Sequence, residues 1–251
     1  MPGLLIVNAD DLGLDTNSTD AILSCFRAGS ITSATGMVWM QDSDRAAEMA
    51  RDAQLPTGIH LNLIEPFTAP DVPVRVAATQ RRVVERLRTR DVRAQLYHPG
   101  WSADFEQCIA DQLTRFHELY GRSPTHADGH QHMHLALNAL FARALGPVGK
   151  CRRPVNRLPG DSPAHKRAAR AALAAVVRAR FLTTYRCFSV RSLHPALGGV
   201  DLDQSLARSQ HASVELMVHP GYPDELRLLS APEWPARLGA HRLGTFEDLG
   251  L

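Results

Sequence analysis

Histidine and aspartate crowd one short stretch of the chain, Thr125-His126-Ala127-Asp128-Gly129-His130-Gln131-His132-Met133-His134. His126, Asp128, His130, His132 and His134 occupy every second position, which on extended backbone puts them on a single face. A helix would instead pair His126 with His130 and His130 with His134 at i,i+4. Pro124 ahead of the run and Gly129 inside it argue for strand and loop. Imidazoles mixed with carboxylate are divalent-cation ligands or partners in proton transfer. At ~3.3 Å per residue the five cannot all reach one ion, so one or two bind and the others support, orient or exchange protons.

Three further places carry the same chemistry. An apolar run ends in Asn8-Ala9-Asp10-Asp11-Leu12-Gly13. Two adjacent acids after a buried strand are costly to leave unpaired. They can divide labour, one on a metal and one on a water or proton, or one can cap the following helix. In Gly58-Ile59-His60-Leu61-Asn62-Leu63 the polar His60 and Asn62 alternate with apolar neighbours, so His60 is either a ligand or a hydrogen-bonded core residue. The run Val214-Glu215-Leu216-Met217-Val218 leads straight into His219-Pro220-Gly221-Tyr222, where His219 serves catalysis or the turn.

These residues need elements to hold them. Strands are expected at Leu4–Ala9, Thr32–Val38, Thr57–Leu63, Thr125–Gly129, Cys151–Asn156, Arg186–Val190 and Val214–Val218. Helices are expected near Thr16–Ala28, Asp44–Ala53, Phe105–Tyr120, Ala164–Phe181, Leu202–Gln210 and Pro232–His241. Such alternation predicts an α/β fold with a mainly parallel sheet, an irregular (β/α) barrel more than an open doubly wound sheet. Ligands then gather at the carboxyl ends of the strands. Residues 1–251 form one domain, with a proline- then arginine-rich excursion at about 64–100 covering one face.

Composition sets limits. The chain has 251 residues and a formal net charge of +2, from 28 Lys+Arg and 26 Asp+Glu, so no polyanion-binding field is expected and no nucleic-acid partner. Arg81-Arg82, Arg152-Arg153 and the basic side of the 164–181 helix read as solvated faces. Cys25, Cys108, Cys151 and Cys187 lie far apart, which fits buried thiols in a reducing cytoplasm. No secretory leader is read at the start, and the longest apolar run elsewhere, Ala171–Val177, is far short of a membrane span. No G-x-G-x-x-G, Walker loop or G-x-S-x-G elbow occurs, which argues against dinucleotide, nucleotide and serine chemistry.

Taken together the four sites resemble the YdjC-like carbohydrate deacetylases, which include chitooligosaccharide deacetylases. The matching pieces are Leu5-Ile6-Val7-Asn8-Ala9-Asp10-Asp11-Leu12-Gly13-Leu14, Gly58-Ile59-His60, the stretch Pro124–His134, Glu215-Leu216-Met217-Val218-His219-Pro220 and Arg242-Leu243-Gly244-Thr245-Phe246. Leu12 stands where phenylalanine is usual. The resemblance implies a barrel of the glycoside hydrolase/deacetylase type, with one divalent metal ion on Asp11, His60 and His130. It implies Asp10 as general base and His219 as general acid, with His126, Asp128, His132 and His134 behind the ligands or facing substrate. The expected substrate is an N-acetylated sugar, a chitooligosaccharide, glycolipid or similar, yielding acetate and a free amine. Ligand chemistry favours zinc for the ion, and the resemblance favours magnesium. The competing readings are a metal-dependent phosphoesterase and a non-catalytic sugar-binding relative. The excursion at 64–100 is the expected contact of any homo-oligomer.

Overall fold

A computed structural model describes residues 3–89, 92–156, 163–193 and 202–250. Among them six strands form one parallel sheet: β1 (Leu4–Leu12), β2 (Ser33–Gly36), β3 (Thr57–Leu61), β4 (Ala127–Gly129), β5 (Arg186–Ser189) and β6 (Ser213–Val218). Their order is β4-β3-β2-β1-β6-β5. Between them run α1 (Thr16–Arg27), α2 (Ser43–Asp52), α3 (Val74–Leu87), α4 (Ser102–Tyr120), α5 (Leu137–Leu140), α6 (Ala164–Arg180), α7 (Val190–Leu193) and α8 (Leu202–Ala207). After β6 come α9 (Pro223–Leu229) and α10 (Glu233–Leu238).

The sheet curls into an irregular (β/α) barrel. The expected strand at Cys151–Asn156 makes only isolated bridges, Ala127 to Cys151 and Lys150 to Leu182. Its backbone still spans the gap between β4 and β5. Arg152 N donates to Ala127 O at 2.9 Å and Asn156 N to Cys187 O at 2.7 Å. Pro154 lacks an N–H, so a regular ladder could not run through this segment. The excursion at 64–100 carries α3, whose buried Val76, Val83 and Leu87 join the main apolar core.

Alternation along each strand separates two environments. On β1, Leu5, Val7 and Ala9 join the core under the helices, whereas Leu4 and Ile6 pack with Phe246 and Leu249. The tail seals that end: Leu5 N donates to Arg242 O at 2.8 Å and Gly244 N to Leu5 O at 3.1 Å. The period of two then puts Asn8, Asp10, Thr35, His60, Asp128 and Glu215 on the barrel's inner face. Climbing the strands, the interior passes from apolar to ionic. The change of character positions the site.

Candidate metal centre

β1 is irregular where it turns polar. Its register against β2 shifts between Ala9 and Leu12, and Asp11 has φ of +71°. Neighbouring residues on a regular strand face opposite ways, and a bulge re-aims a side chain. The irregularity therefore brings both Asp10 and Asp11 to the mouth. Aspartate tolerates the left-handed region better than most side chains, at a cost of roughly 1–2 kcal/mol.

The histidine run does not lie on one face, contrary to its period of two. β4 ends at Gly129, and a 3-10 segment, His130–Leu135, follows with Gln131 and His132 both at positive φ. These two left-handed residues fan the side chains apart. His130 turns to the mouth, where its Nδ1 lies 2.8 Å from Asp11 Oδ1. His132 lines a cavity of about 350 Å³ shared with Gln95, Val155 and Met217. His134 folds back under the mouth, its Nε2 3.2 Å from Arg152 O. His126 is sealed in the interior, stacked on Phe246 at 3.6 Å. Gly58 makes room for that ring, because a Cβ there would come 2.5 Å from His126 Nδ1. Burial keeps His126 and His134 well below the usual imidazole range, and pushes His132 down to about 4.

At the mouth, ligand atoms of Asp11, His60 and His130 all lie within 4.8 Å of one another. His60 Nε2 sits 3.2 Å from Asp11 Oδ1. Its other nitrogen, Nδ1, meets Asp128 Oδ1 at 2.7 Å and Thr35 Oγ1 at 3.2 Å. A carboxylate behind a histidine fixes its orientation and raises its basicity as a ligand. Burial opposes the charged imidazole, but Asp128, Asp11 and Asp10 outweigh it and hold His60 well above its usual value. Burial likewise opposes ionisation of Asp11, yet His130 and His60 keep it well below the carboxylate range. One carboxylate and two imidazoles gathered this way fit a divalent cation.

Beneath the mouth lies a buried ionic layer. Arg152, reading as solvated in the sequence, is 0% exposed. It donates from Nη1 and Nη2 to Asp10 at 2.6 and 2.7 Å and from Nε to Glu215 at 2.6 Å. Its Nη1 is also 2.7 Å from Asp128 Oδ2. The signal for it was indirect: Asp10, Asp128 and Glu215 all sit on buried strands and demand an internal cation. Two other acid-histidine groupings have ligand atoms within 4.8 Å, Asp10/His60/Asp128 and His126/Asp128/Glu215. A guanidinium already meets every acid in both, so a second cation there would face like charge.

Asp10 is buried, which works against its charge, but Arg152 and His60 hold it far below the usual carboxylate range. Asn8 Nδ2 donates to its Oδ1 at 3.1 Å. Across the mouth, His219 Nε2 lies 3.8 Å from Asp10 Oδ2. Burial lowers the proton affinity of His219, and Glu225, Asp10 and Asp11 more than restore it, leaving it above the ordinary range. Glu65, at the start of the excursion, approaches from outside: its Oε1 is 3.5 Å from His130 Nε2 and accepts from Gln131 Nε2 at 2.9 Å.

Comparison with known proteins supplies the lineage. The YdjC-like protein family matches residues 4–243, nearly the whole chain. The chain belongs to the YdjC-like family. A carbohydrate deacetylase of Mus musculus is 34% identical over 248 aligned residues, covering 87% of this chain and 78% of that one. A chitooligosaccharide deacetylase of Klebsiella pneumoniae is 30% identical over 273 aligned positions, covering 99% and 100%. A crystal structure of an Enterococcus faecalis V583 protein, named for cellobiose-phosphate cleavage, shares the fold with a TM-score of 0.69. It is 19% identical, and the match covers 98% of each chain. Within this YdjC-like chain no helix of the described residues is long and apolar enough to cross a membrane.

Proposed function

We propose that this YdjC-like chain is a metal-dependent N-deacetylase of an acetylated amino sugar. The observation that carries the reading is the convergence of Asp11, His60 and His130 beside Asp10, a carboxylate bound by Arg152, with His219 3.8 Å from it. The deacetylase names of the mouse and Klebsiella relatives support it. Asp11, His60 and His130 would hold the ion. One oxygen and two nitrogen donors suit zinc, iron, cobalt or manganese better than magnesium, which prefers oxygen.

A bound divalent ion acidifies water and polarises a carbonyl, stabilising charge as it develops on oxygen. Asp10, doubly anchored by Arg152, is ionised at any working pH and stands ready to accept the attacking water's proton. Its low basicity is adequate only for a water that has been made acidic. The departing amine needs a proton, and His219, with Nε2 3.8 Å from Asp10 Oδ2, would supply it. The cavity lined by His132, Gln131 and Met217 is the space we assign to the sugar. A two-ion phosphoesterase fits poorly, because such sites place ions about 3.5–4 Å apart. Here Arg152 fills the neighbouring acid positions.

The test is acetate release from N,N'-diacetylchitobiose by chelator-stripped protein, with zinc, cobalt, manganese and magnesium added back in turn. Turnover restored by one of these ions is the expected result. Binding of the sugar with no acetate released under any ion would replace the reading with a non-catalytic one.

A further inference from the structure

His219 sits beyond the end of β6, in a Pro-Gly turn, where backbone is held less firmly than within the sheet. Something must aim its ring. Glu225, in the first turn of α9, is 0% exposed and has no part in the metal cluster or the Arg152 layer. Its Oε2 accepts from the backbone N of His219 at 2.7 Å and lies 3.8 Å from the ring Nδ1. Its Oε1 accepts from Arg191 Nε at 3.2 Å, and Arg191 Nη2 donates to the adjacent Asp224 at 3.0 Å. The Arg191 guanidinium also lies 5.4 Å from the centre of the Tyr222 ring, which is 5.7 Å from His219.

We propose that Glu225, anchored by Arg191, is a positioning residue for His219, pointing its Nδ1 inward so that Nε2 faces the reaction space beside Asp10. The inference rests on the deacetylase reading for what His219 does, and on geometry alone for how it is held. A turn staple could be any neutral acceptor. A wholly buried carboxylate is costly, and its charge is useful where an imidazolium must be stabilised. In the step, Nε2–H passes its proton to the departing amine nitrogen as the C–N bond breaks. The ring becomes neutral. The charged or titratable groups facing the ring are Asp10 and Asp11 from β1, Glu225 and Tyr222 at α9, and His132 from the 3-10 segment, with Arg191 of α7 behind Glu225.

Glu225→Gln keeps an acceptor for the backbone N–H and removes the charge. With N,N'-diacetylchitobiose we expect kcat to fall about tenfold or more while KM changes by less than about threefold. The alkaline fall in kcat should move to lower pH, because His219 loses its proton sooner. Glu225→Asp should recover part of the rate. In the resting protein, the downfield Nδ1–H proton resonance of His219 should be present in the wild type and absent from Glu225→Gln. If Glu225→Gln does not fold, Arg191→Gln, at a half-exposed position, carries the test with a several-fold loss of kcat and the same direction of pH shift. Wild-type kcat and an unmoved alkaline limb in a folded variant would overturn the proposal, as would a wild-type ring lacking the Nδ1–H signal. Absence of acetate release by the wild type itself would instead sink the deacetylase reading, and the ring resonance would still test the positioning.

Discussion

The layer around Arg152 and the mouth around Asp11 are built from the same side chains a few ångströms apart. In the layer, Asp10, Asp128 and Glu215 all face one guanidinium, at 2.6–2.7 Å. At the mouth, Asp11 faces two imidazoles and, among the described residues, no arginine or lysine. Fixed positive charge makes the first a rigid support that has no place for a metal ion. The second lacks such a guanidinium, and its donors are the ones we propose for a divalent cation. His60 and Asp128 join them, since the imidazole presents one nitrogen to each level.

The sharpest way to break this contrast is to remove the guanidinium. Arg152→Met removes the cation that three buried carboxylates share and should destabilise the fold by about 3–5 kcal/mol, read as the midpoint of urea unfolding. An unchanged midpoint would mean that the layer is not what holds the acids. Asp10→Asn comes next. It should retain the metal and lose about 10²–10⁴ in turnover, because Asp10 belongs to the layer by its bonds and to the mouth by its role. Full activity in that variant would remove Asp10 as the base.

Glu215 gives a pH test of the layer. Burial raises its carboxyl, Arg152 opposes this only in part, and the result is pushed up to about 7. The folded chain thus holds a proton that the unfolded chain releases near the ordinary 4.5. Stability from this group is complete below that value and is lost as pH rises through about 7. Glu215→Gln should flatten that window when unfolding midpoints at pH 5 and pH 8 are compared. The smallest effect is expected at His126, which stacks on Phe246 away from the mouth. His126→Phe should change kcat/KM by less than about threefold. A loss comparable with His60→Ala would erase the boundary between the two levels.

Much of this was legible in the sequence wherever burial and chemistry conflict. Paired acids after an apolar strand, His60 amid Ile59 and Leu61, and the dense histidine run each flag residues that now meet at one mouth. The period of two failed at Gln131 and His132, because local left-handed backbone ends the strand after Gly129, and such a break leaves no periodic trace. The strand expected at 151–156 failed for a similar reason: it spans two ladders without running along either. Arg152 and Arg153 both looked solvated, yet both are buried, because neither the acids that Arg152 meets nor the Thr184 and Tyr185 carbonyls that Arg153 meets are near in sequence. Glu225 carried no signal at all. Its role depends on a turn and on Arg191, 34 residues away.

The claim on which the rest depends is that Asp11, His60 and His130 share one divalent cation. Metal content per chain, measured by plasma mass spectrometry after dialysis against limiting zinc, tests it most directly. One ion per wild-type chain, with none in Asp11→Ala or His60→Ala and one retained in Asp10→Asn, is the expected result. A metal-free wild type, or equal metal in all four proteins, would contradict it.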